Sequence, residues 1–344
     1  MVSRRVFWLM IALVVTLTVA TSAYLATRPP KPTQSAMPCG SVIDRDVTLG
    51  VNIGPCPGSG LSVLHSWNGA GLTLDCAGHT ISGMGTGVGI KLANLTGSTI
   101  KNCKVTGFQA GFLSTNSSGN LLAGNTAEDD AQGFLMTDAS NISTLTANTA
   151  INDTRCGFCI EGAFGNVLGS NRAENNPAYG FFLSASSENN TIFSNTANNN
   201  QYGFYVANSS SNSIFANTAN NNKVNGFDLE GSSANLLTSN TANGDLQYGF
   251  YLGGSFRNTL VMNTANNDVF GFCVDMYSYG NTLTSNSSVN GDNGFGDGSY
   301  GSGTFTTANF YVGNYCNNER WYGSGPAGLC EPQQGGGPSR GGGG

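Results

Sequence analysis

The stretch Asn190-Thr-Ile-Phe-Ser-Asn195-Thr-Ala-Asn-Asn-Asn-Gln-Tyr-Gly203-Phe204-Tyr-Val206 is one copy of a unit that recurs from residue 94 to about residue 315. Its Gly-Phe pair returns every 22–24 residues, at Gly111, Gly133, Gly157, Gly180, Gly203, Gly226, Gly249, Gly271 and Gly294. An asparagine keeps the same period, at Asn102, Asn125, Asn148, Asn171, Asn195, Asn217, Asn240, Asn263 and Asn286. Two independent columns that share one period predict a solenoid.

Each unit contains two short alternating runs, Thr-Ile-Phe and Gly-Phe-Tyr-Val, separated by Asn, Gly and Ser clusters that break helices. In the second run, Phe204 and Val206 should face one way and Tyr205 the other, because side chains alternate along a strand. The inward residues of the first run should be Ile192, Ile214, Leu236, Leu260 and Leu283. Identical residues on every turn predict parallel strands wound into a β-helix, in which each coil rises about 4.8 Å.

The asparagine column has a physical role in such a helix. Turn peptide groups that no strand neighbour reaches cost roughly 1–3 kcal/mol each when they are buried unpaired. Stacked Asn amides can bond to one another and to the turn backbone of the next coil. We therefore predict a structural Asn ladder, and we expect Gly203 and its equivalents to occupy turns with positive φ.

The first 28 residues have the pattern of a targeting segment, since Arg4 and Arg5 precede an apolar run from Val6 to Ala26. The run fits either a cleaved signal peptide or a retained membrane anchor, because about 20 apolar residues can span a bilayer. The residues around the two arginines also resemble the start of a twin-arginine export signal. Each alternative predicts a secreted or cell-surface protein, in contact with a membrane only through this segment.

The remaining organisation follows from composition. We assign a Pro-rich spacer (29–38), an N-terminal cap with the first coils (39–93), the β-helix repeats (94–315), a C-terminal cap (316–332) and a Gly-rich tail (333–344). The tail should be disordered. Charged residues make up 10% of the chain and the net charge is −6. Because the coils carry no basic stripe, nucleic acid is excluded as a partner.

Nine cysteines in an exported chain predict disulfides and one thiol left over. The expected pairs are Cys39–Cys56 in the N-terminal cap, Cys76–Cys103 across two early coils, and Cys316–Cys330 in the C-terminal cap. Cys156 and Cys159 flank one Gly-Phe pair and either bridge or simply pack there. Cys273 would remain free. No second pair with a nearby histidine completes a zinc site.

The segments Cys39-Gly-Ser-Val-Ile43, Gly54-Pro-Cys56-Pro-Gly58 and Leu72-Thr-Leu-Asp-Cys76-Ala-Gly-His79-Thr-Ile-Ser-Gly83 carry a family resemblance. They resemble the opening of secreted right-handed parallel β-helix repeat proteins of the pectate-lyase-like superfamily. Within it, they are similar to the group called NosD-like or carbohydrate-binding and sugar-hydrolase β-helices. With the periodicity, the resemblance predicts an all-β, right-handed parallel β-helix of about ten 22–24-residue coils with a disulfide-bearing N-terminal cap. Since this scaffold hosts lyases, hydrolases, epimerases, adhesins and structural proteins, it implies a fold and no single function.

Glu128, Asp129 and Asp130 form the one acidic cluster in the coils and are weak catalytic candidates. Two carboxyl groups at a suitable distance hydrolyse glycosides, so a polysaccharide-active lyase, hydrolase or epimerase with its site here is the alternative function. A solvated turn or a calcium-binding edge is the competing interpretation, because no His or Arg-x-Lys motif follows. We lean against an enzyme and predict no cofactor, since nothing in the sequence supports calcium.

The NosD-like resemblance also implies copper delivery, and copper prefers His, Met or thiolate ligands. His65 and His79 both lie in the N-terminal cap, whereas Met136, Met262 and Met276 are scattered. The sequence therefore predicts no metal site.

The residues before each Gly-Phe pair and after it should point outward. Aromatic residues dominate these two columns and are our glycan-binding candidates: Tyr179, Phe182, Tyr202, Tyr205, Tyr248, Tyr251 and Phe270. A row of rings repeating at the coil rise roughly matches the advance per sugar of an extended polysaccharide, and tyrosine suits a wet surface. Alternatively, the rings stack on one another and seal the wall of a structural rod. We predict an extracytoplasmic module that binds polysaccharide or cell-envelope glycan, with the rod as the other interpretation.

Overall fold

The computed structural model describes residues 33–34, 37–64, 71–316 and 328–332. The predicted leader, the tail and His65 lie outside the described residues, as do most of the spacer and part of the C-terminal cap. Within the described ranges, no helix has both the length and the apolar character needed to cross a membrane.

The chain from residue 41 onward winds through three parallel sheets, and each coil contributes one strand to each sheet. We call the sheets face 1, face 2 and face 3, in the order Thr191–Phe193, Thr196–Asn198 and Tyr202–Ala207 of one coil. The two short faces have strands of three residues in the regular coils, whereas face 3 has strands of five or six. The predicted all-β parallel β-helix is confirmed, with about 11 turns.

Face 1 contains Val47–Leu49, Thr73–Asp75, Thr99–Lys101, Leu121–Ala123, Thr144–Thr146, Val167–Gly169, Thr191–Phe193, Ser213–Phe215, Leu236–Thr238, Thr259–Val261, Thr282–Thr284 and Phe310–Val312. Face 2 contains Ile53–Cys56, Thr80–Gly83, Lys104–Thr106, Thr126–Glu128, Thr149–Ile151, Arg172–Glu174, Thr196–Asn198, Thr218–Asn220, Thr241–Asn243, Thr264–Asn266, Ser287–Val289, Tyr315–Cys316 and Glu331–Pro332. Face 3 contains Ser41–Ile43, Leu61–Val63, Val88–Ala93, Ala110–Thr115, Gln132–Thr137, Cys156–Glu161, Tyr179–Ser184, Tyr202–Ala207, Asn225–Glu230, Tyr248–Gly253, Phe270–Val274 and Asn293–Asp297. A two-residue strand, Thr33–Gln34, and a 3₁₀ turn, Thr304–Thr306, complete the elements.

The core is built from columns of identical residues held in register. Phe204 lies between Phe181 and Phe227, with ring centroids 4.7 Å away on both sides. From Phe112 to Phe295 the interior rings stack at 4.6–4.8 Å with interplanar angles of 3–9°. Leu237, and not Leu236 as we expected, points into the core of face 1, because it pairs with Ile214 and is fully buried.

The glycines of the Gly-Phe pairs are required for a different reason from the one expected. None of them has positive φ. A Cβ built on Gly203 would lie 2.6 Å from the carbonyl oxygen of Gly226 and 3.0 Å from Asn222 Nδ2. Glycine is therefore needed because the backbone of the next coil and the corner amide approach too closely for any side chain.

Asparagines fill the corner between faces 1 and 2, which we call ladder 1. Asn195 Nδ2 donates to Asn217 Oδ1 at 3.0 Å and to the carbonyl of Leu168 at 2.9 Å. The same contacts recur along Asn125, Asn148, Asn171, Asn195, Asn217, Asn240, Asn263 and Asn286, all buried, and the column continues to Asn314.

The assignment of Asn102 to this ladder is wrong, because the structure places Cys103 there. The backbone N–H of Cys103 donates to Asn125 Oδ1 at 3.0 Å. Asn102 is the preceding corner residue, with φ of 53°, a position that Ala147 and Ser194 occupy in later coils. Its side chain donates to Asp75. The cysteine in place of an asparagine forms a disulfide with Cys76.

The structure contains the three expected disulfides, Cys39–Cys56, Cys76–Cys103 and Cys316–Cys330. Of the two alternatives for Cys156 and Cys159, it shows the bridge. Cys273 is a free thiol.

Two further polar columns were missed from the sequence. The corner between faces 3 and 1 holds another column of stacked asparagines, which is distinct from ladder 1. Its members are Asn166, Asn190, Asn212, Asn235, Asn258, Asn281 and Asn309. The corner between faces 2 and 3 holds what we call ladder 2: Asp130, Asp153, Asn176, Asn200, Asn222, Asp245 and Asp268. Because asparagine is abundant in every unit, its spacing alone did not separate these columns from the turns.

Candidate functional site

The structure separates the three carboxyl groups of the predicted acidic cluster. Glu128 ends a face 2 strand and forms an ion pair with Lys104 at 2.6 Å. Asp129 is an exposed corner residue with φ of 58°. Asp130 points inward as the first member of ladder 2 and is 1% exposed. The three side chains therefore have three different environments and do not converge on one substrate position.

Ladder 2 contains buried carboxyl groups that lack a full set of partners. Asp130 and Asp153 are stacked in adjacent coils, as are Asp245 and Asp268, and each has one buried oxygen, Oδ2, without a hydrogen-bond partner. Burial, reinforced by the neighbouring Asp130 charge, raises the pKa of Asp153 to about 9. Burial likewise raises the pKa of Asp245 to about 8, and that of Asp130 and Asp268 to about 7. These groups face the interior, so they bear on stability and not on a surface site.

The seven aromatic candidates lie on the outer side of face 3, and we call them the aromatic strip. Register places Tyr179 beside Tyr202 and Phe182 beside Tyr205, while Tyr248 pairs with Phe270. All seven are half-buried, namely Tyr179, Phe182, Tyr202, Tyr205, Tyr248, Tyr251 and Phe270. The strip consists of two ring clusters separated by one coil, Asn225–Glu230, that carries no outward ring.

The rings of the strip are less regular than those of the core. Their centroids lie 4.6–5.8 Å apart, and their interplanar angles range from 13° to 63°. Tyr202 and Tyr205, for example, meet edge to face. Stacked and edge-to-face contacts are both favourable for aromatic pairs. Unlike the interior rings, each outer ring is only half-buried and keeps part of its surface in contact with solvent.

The coil between the ring clusters contains a buried polar pair, Asn225 and Asp228, and we call it the polar coil. Asn225 Nδ2 donates to Asp228 Oδ2 at 2.6 Å, and the two residues are only 3% and 4% exposed. Asp228 Oδ1 is also buried and has no hydrogen-bond partner. Burial raises the pKa of Asp228 to about 7. Burial of its ring raises the pKa of Tyr202, and the charges of Asp228 and of its exposed neighbour Glu230 raise it further.

Tyr205 belongs to the ring cluster that precedes the polar coil in the sequence. It links that cluster to the polar coil, because its hydroxyl donates to Glu230 Oε2. Tyr251 lies on the other side of Asp228, in direct register with it. The ring of Tyr251 lies over Gly253, where a Cβ would be 2.8 Å from Cε1. The buried carboxyl group of Asp228 thus lies between two tyrosines, one held by a hydrogen bond and the other packed on glycine.

Two comparisons place the chain among known proteins. Residues 59–202 and 187–320 match the family described as periplasmic copper-binding protein (NosD). The chain belongs to the NosD family. No curated protein matches it. Membership of a periplasmic family, together with the four disulfides, indicates that this NosD-family chain is extracytoplasmic.

Among solved structures, a double mutant of the periplasmic alginate epimerase AlgG is similar with a TM-score of 0.52 and 16% identity, over 84% of this chain and 82% of that one. The A-module of the Azotobacter vinelandii mannuronan C-5 epimerase AlgE4 is similar with a TM-score of 0.53 and 12% identity, over 87% and 88% of the two chains. At this identity the similarity shows that the fold is shared.

The residues that the structure describes do not fit a copper centre, although the family description includes copper binding. In the described ranges, no three His, Cys, Asp or Glu side chains come together to hold a metal ion. His79 Nδ1 lies 3.3 Å from Asn52 Oδ1 in the cap. Burial, with the nearby charges of Asp275 and Asp297, raises the pKa of the Cys273 thiol to about 12. Cys273 is the one free thiol among the described residues, so no second thiol can join it as a copper ligand.

Proposed function

We propose that this NosD-family β-helix binds an extended polysaccharide along the aromatic strip of face 3. The observation that carries the proposal is the contrast between the two aromatic columns of the same strands. The inner column is a near-parallel stack that excludes water, whereas the outer rings are splayed, half-buried and mostly tyrosine. A tyrosine ring offers an apolar face to a sugar and a hydroxyl to water.

The geometry of the strip suits a linear polymer. Register keeps the outward rings in two straight columns along the helix axis, with a rise of about 4.8 Å per coil. A ligand that lies along the axis would meet a new pair of side chains on every coil. The strip covers five coils, which is room for several sugars and not for a single small molecule.

The comparisons support a polysaccharide ligand at the level of the class. The two similar structures are described as epimerases of alginate and of mannuronan, so their shared fold serves proteins that act on polysaccharides. In this chain, no observation favours the enzymatic alternative near Glu128, because Glu128, Asp129 and Asp130 point to three different environments. The proposal is therefore binding without a catalytic step.

The test is a glycan-array screen of the wild type and a Tyr202→Ala/Tyr205→Ala double variant. We expect the wild type to retain at least one polysaccharide class and the double variant to lose affinity by about tenfold or more, which corresponds to about 1.4 kcal/mol. Tyr300→Ala is the matched control, because Tyr300 is 80% exposed and lies outside the strip. If the wild type retains no glycan, or if all three proteins bind alike, the strip is only a sealing layer of a structural rod.

A further inference from the structure

The polar coil in the middle of the aromatic strip points to the kind of polysaccharide that binds. Asp228 pairs in register with Tyr205 in the coil below and with Tyr251 in the coil above. The ring-bearing coils on either side are thus about 10 Å apart, two coil rises. A sugar chain that stacked on both tyrosines would place one residue directly over Asp228.

We propose that the strip selects neutral polysaccharides over polyuronates: Asp228 accepts a hydrogen bond from a sugar hydroxyl, and the negative charges of Asp228 and Glu230 oppose a uronate carboxylate. The inference rests on the proposed function and adds the ligand class to it. Its basis is the state of the Asp228 carboxyl group. Asn225 satisfies one oxygen, while Oδ1 is buried and has no partner.

An unpartnered buried acceptor is costly, so a donor that reaches it gains more than it would at an exposed carboxylate. A sugar hydroxyl is such a donor. Neutral sugars and uronates both carry hydroxyls, so this bond anchors the sugar chain, and the selection against uronates comes from charge. For a sugar to reach Oδ1, the half-buried ring of Tyr251, which lies in register with Asp228, must rotate away from Gly253. Rotamer changes of partly exposed side chains are fast.

The charge of the strip also opposes a polyuronate. The strands Tyr179–Ser184, Tyr202–Ala207, Asn225–Glu230, Tyr248–Gly253 and Phe270–Val274 contain two acidic residues, Asp228 and Glu230, and no Lys or Arg. A polyuronate would bring one negative charge per sugar to strands that themselves carry no cation to pair it. Like charges that meet in a partly desolvated site disfavour binding.

The experiment uses the whole chain in affinity gel electrophoresis at about pH 8.5, above the pKa of about 7 of Asp228. Hydroxyethyl cellulose and galactomannan are the neutral polymers and alginate is the polyuronate. We expect the wild type to be retarded by at least one neutral polymer and not by alginate. Asp228→Ala should weaken retention by the neutral polymer by about tenfold, the factor for one lost hydrogen bond to a charged group. Asp228→Asn keeps an acceptor oxygen and the side-chain volume, so it should lose less, about threefold.

Glu230→Gln separates charge from hydrogen bonding. Glutamine still accepts a hydrogen bond from Tyr205, so alginate should begin to bind, and any change in retention by the neutral polymer should be small beside that gain. Glu174→Gln removes the same charge on face 2, away from the strip, and should change neither. Thermal unfolding of each variant checks that it is folded.

The outcomes separate this inference from the proposed function. If alginate retards the wild type as strongly as the neutral polymers, and the Tyr202→Ala/Tyr205→Ala variant abolishes both, the strip binds glycans but the selection for neutral ones is wrong. If a folded Asp228→Ala protein binds the neutral polymer like the wild type, Asp228 is not the subsite. If no polymer binds the wild type in the gel or on the array, the proposed function fails and this inference fails with it.

Discussion

At the scale of single residues, the aspartates of ladder 2 make stability depend on pH. An unfolded aspartate has a pKa of about 3.9, whereas burial raises the pKa of Asp130 to about 7 and that of Asp153 to about 9. The folded chain therefore keeps protons that the unfolded chain has lost. The stability that these groups contribute is fully present below about pH 4 and is lost as the pH rises through about 7 to 9.

Asp153→Asn tests this dependence. Asn176, the next member of the column, donates Nδ2 to Asn200 Oδ1 at 2.9 Å, and an amide at position 153 would replace an unpaired oxygen with the same donor. We expect the free energy of unfolding to rise by about 1–3 kcal/mol at pH 9 and by less at pH 5, as measured by urea denaturation. Asp292→Asn, at an exposed site, is the control. Equal gains at both pH values would contradict the assignment.

Glycine 203 gives a second prediction at this scale. A Cβ there would lie 2.6 Å from the carbonyl oxygen of Gly226, which belongs to the backbone and cannot move without shifting a coil. Gly203→Ala should lower the free energy of unfolding by about 1–3 kcal/mol, the usual cost of overpacking. In Gly58→Ala the new Cβ meets nothing within 4 Å, so the free energy of unfolding should not change. Thermal unfolding of both variants and the wild type measures the difference. A neutral Gly203→Ala would show that the coils separate easily.

At the scale of the element, each amide of ladder 1 links adjacent coils. Asn217 donates to the carbonyl of Ile192 at 2.9 Å and to Asn240 at 3.0 Å, and it accepts from Asn195. Asn217→Ala leaves buried groups on both sides without partners and should cost about 2–4 kcal/mol. Asn198→Ala removes an amide from the outer, half-buried row on face 2. Water can replace that bond, so denaturant melts should show a loss below about 1 kcal/mol, and similar losses for both variants would refute the distinction.

The strands and corners also show how much of the fold can be predicted from the sequence. Periodicity identified the parallel strands, the inward phenylalanines and the outward tyrosines, because each depends only on a period that nine units repeat. Periodicity could not fix which of two neighbouring residues occupies a given position in the coil. Asn102 keeps the 23-residue spacing to Asn125, yet Cys103 occupies the corner, because the unit length varies between 22 and 24 residues. The same variation in unit length places Leu237, one residue beyond the predicted Leu236, in the core.

The burial of Asp228 in the polar coil could not be predicted from the sequence, for a different reason. Alternation predicts that Asp228 points outward, and it does, but its 4% exposure depends on how the neighbouring tyrosine rings pack around it. Ring tilts are set by contacts between coils, such as the bond from Tyr205 to Glu230. No spacing rule predicts those contacts, so only the structure shows that Asp228 Oδ1 is buried without a hydrogen-bond partner.

At the scale of the whole molecule, a solenoid is a one-dimensional stack in which each coil contacts only its neighbours. A defect in the core should therefore loosen nearby coils and leave distant ones intact. Phe204 shares the strand Tyr202–Ala207 with two rings of the strip, whereas Phe112 lies four members earlier in the same interior stack. Their burial is nearly equal, 2% and 1% exposed, so the two positions form a matched pair.

Phe204→Ala and Phe112→Ala should each cost about 3–5 kcal/mol, the range for a buried phenylalanine. Only Phe204→Ala should accelerate hydrogen exchange in Tyr202–Ala207 and weaken glycan retention, because only its cavity underlies the strip. Phe112→Ala should confine faster exchange to its own strand, Ala110–Thr115, and the adjoining coils. If both variants loosen Tyr202–Ala207 equally, the molecule opens as a single cooperative unit, and the strip cannot be regarded as a local property of the coils that carry it.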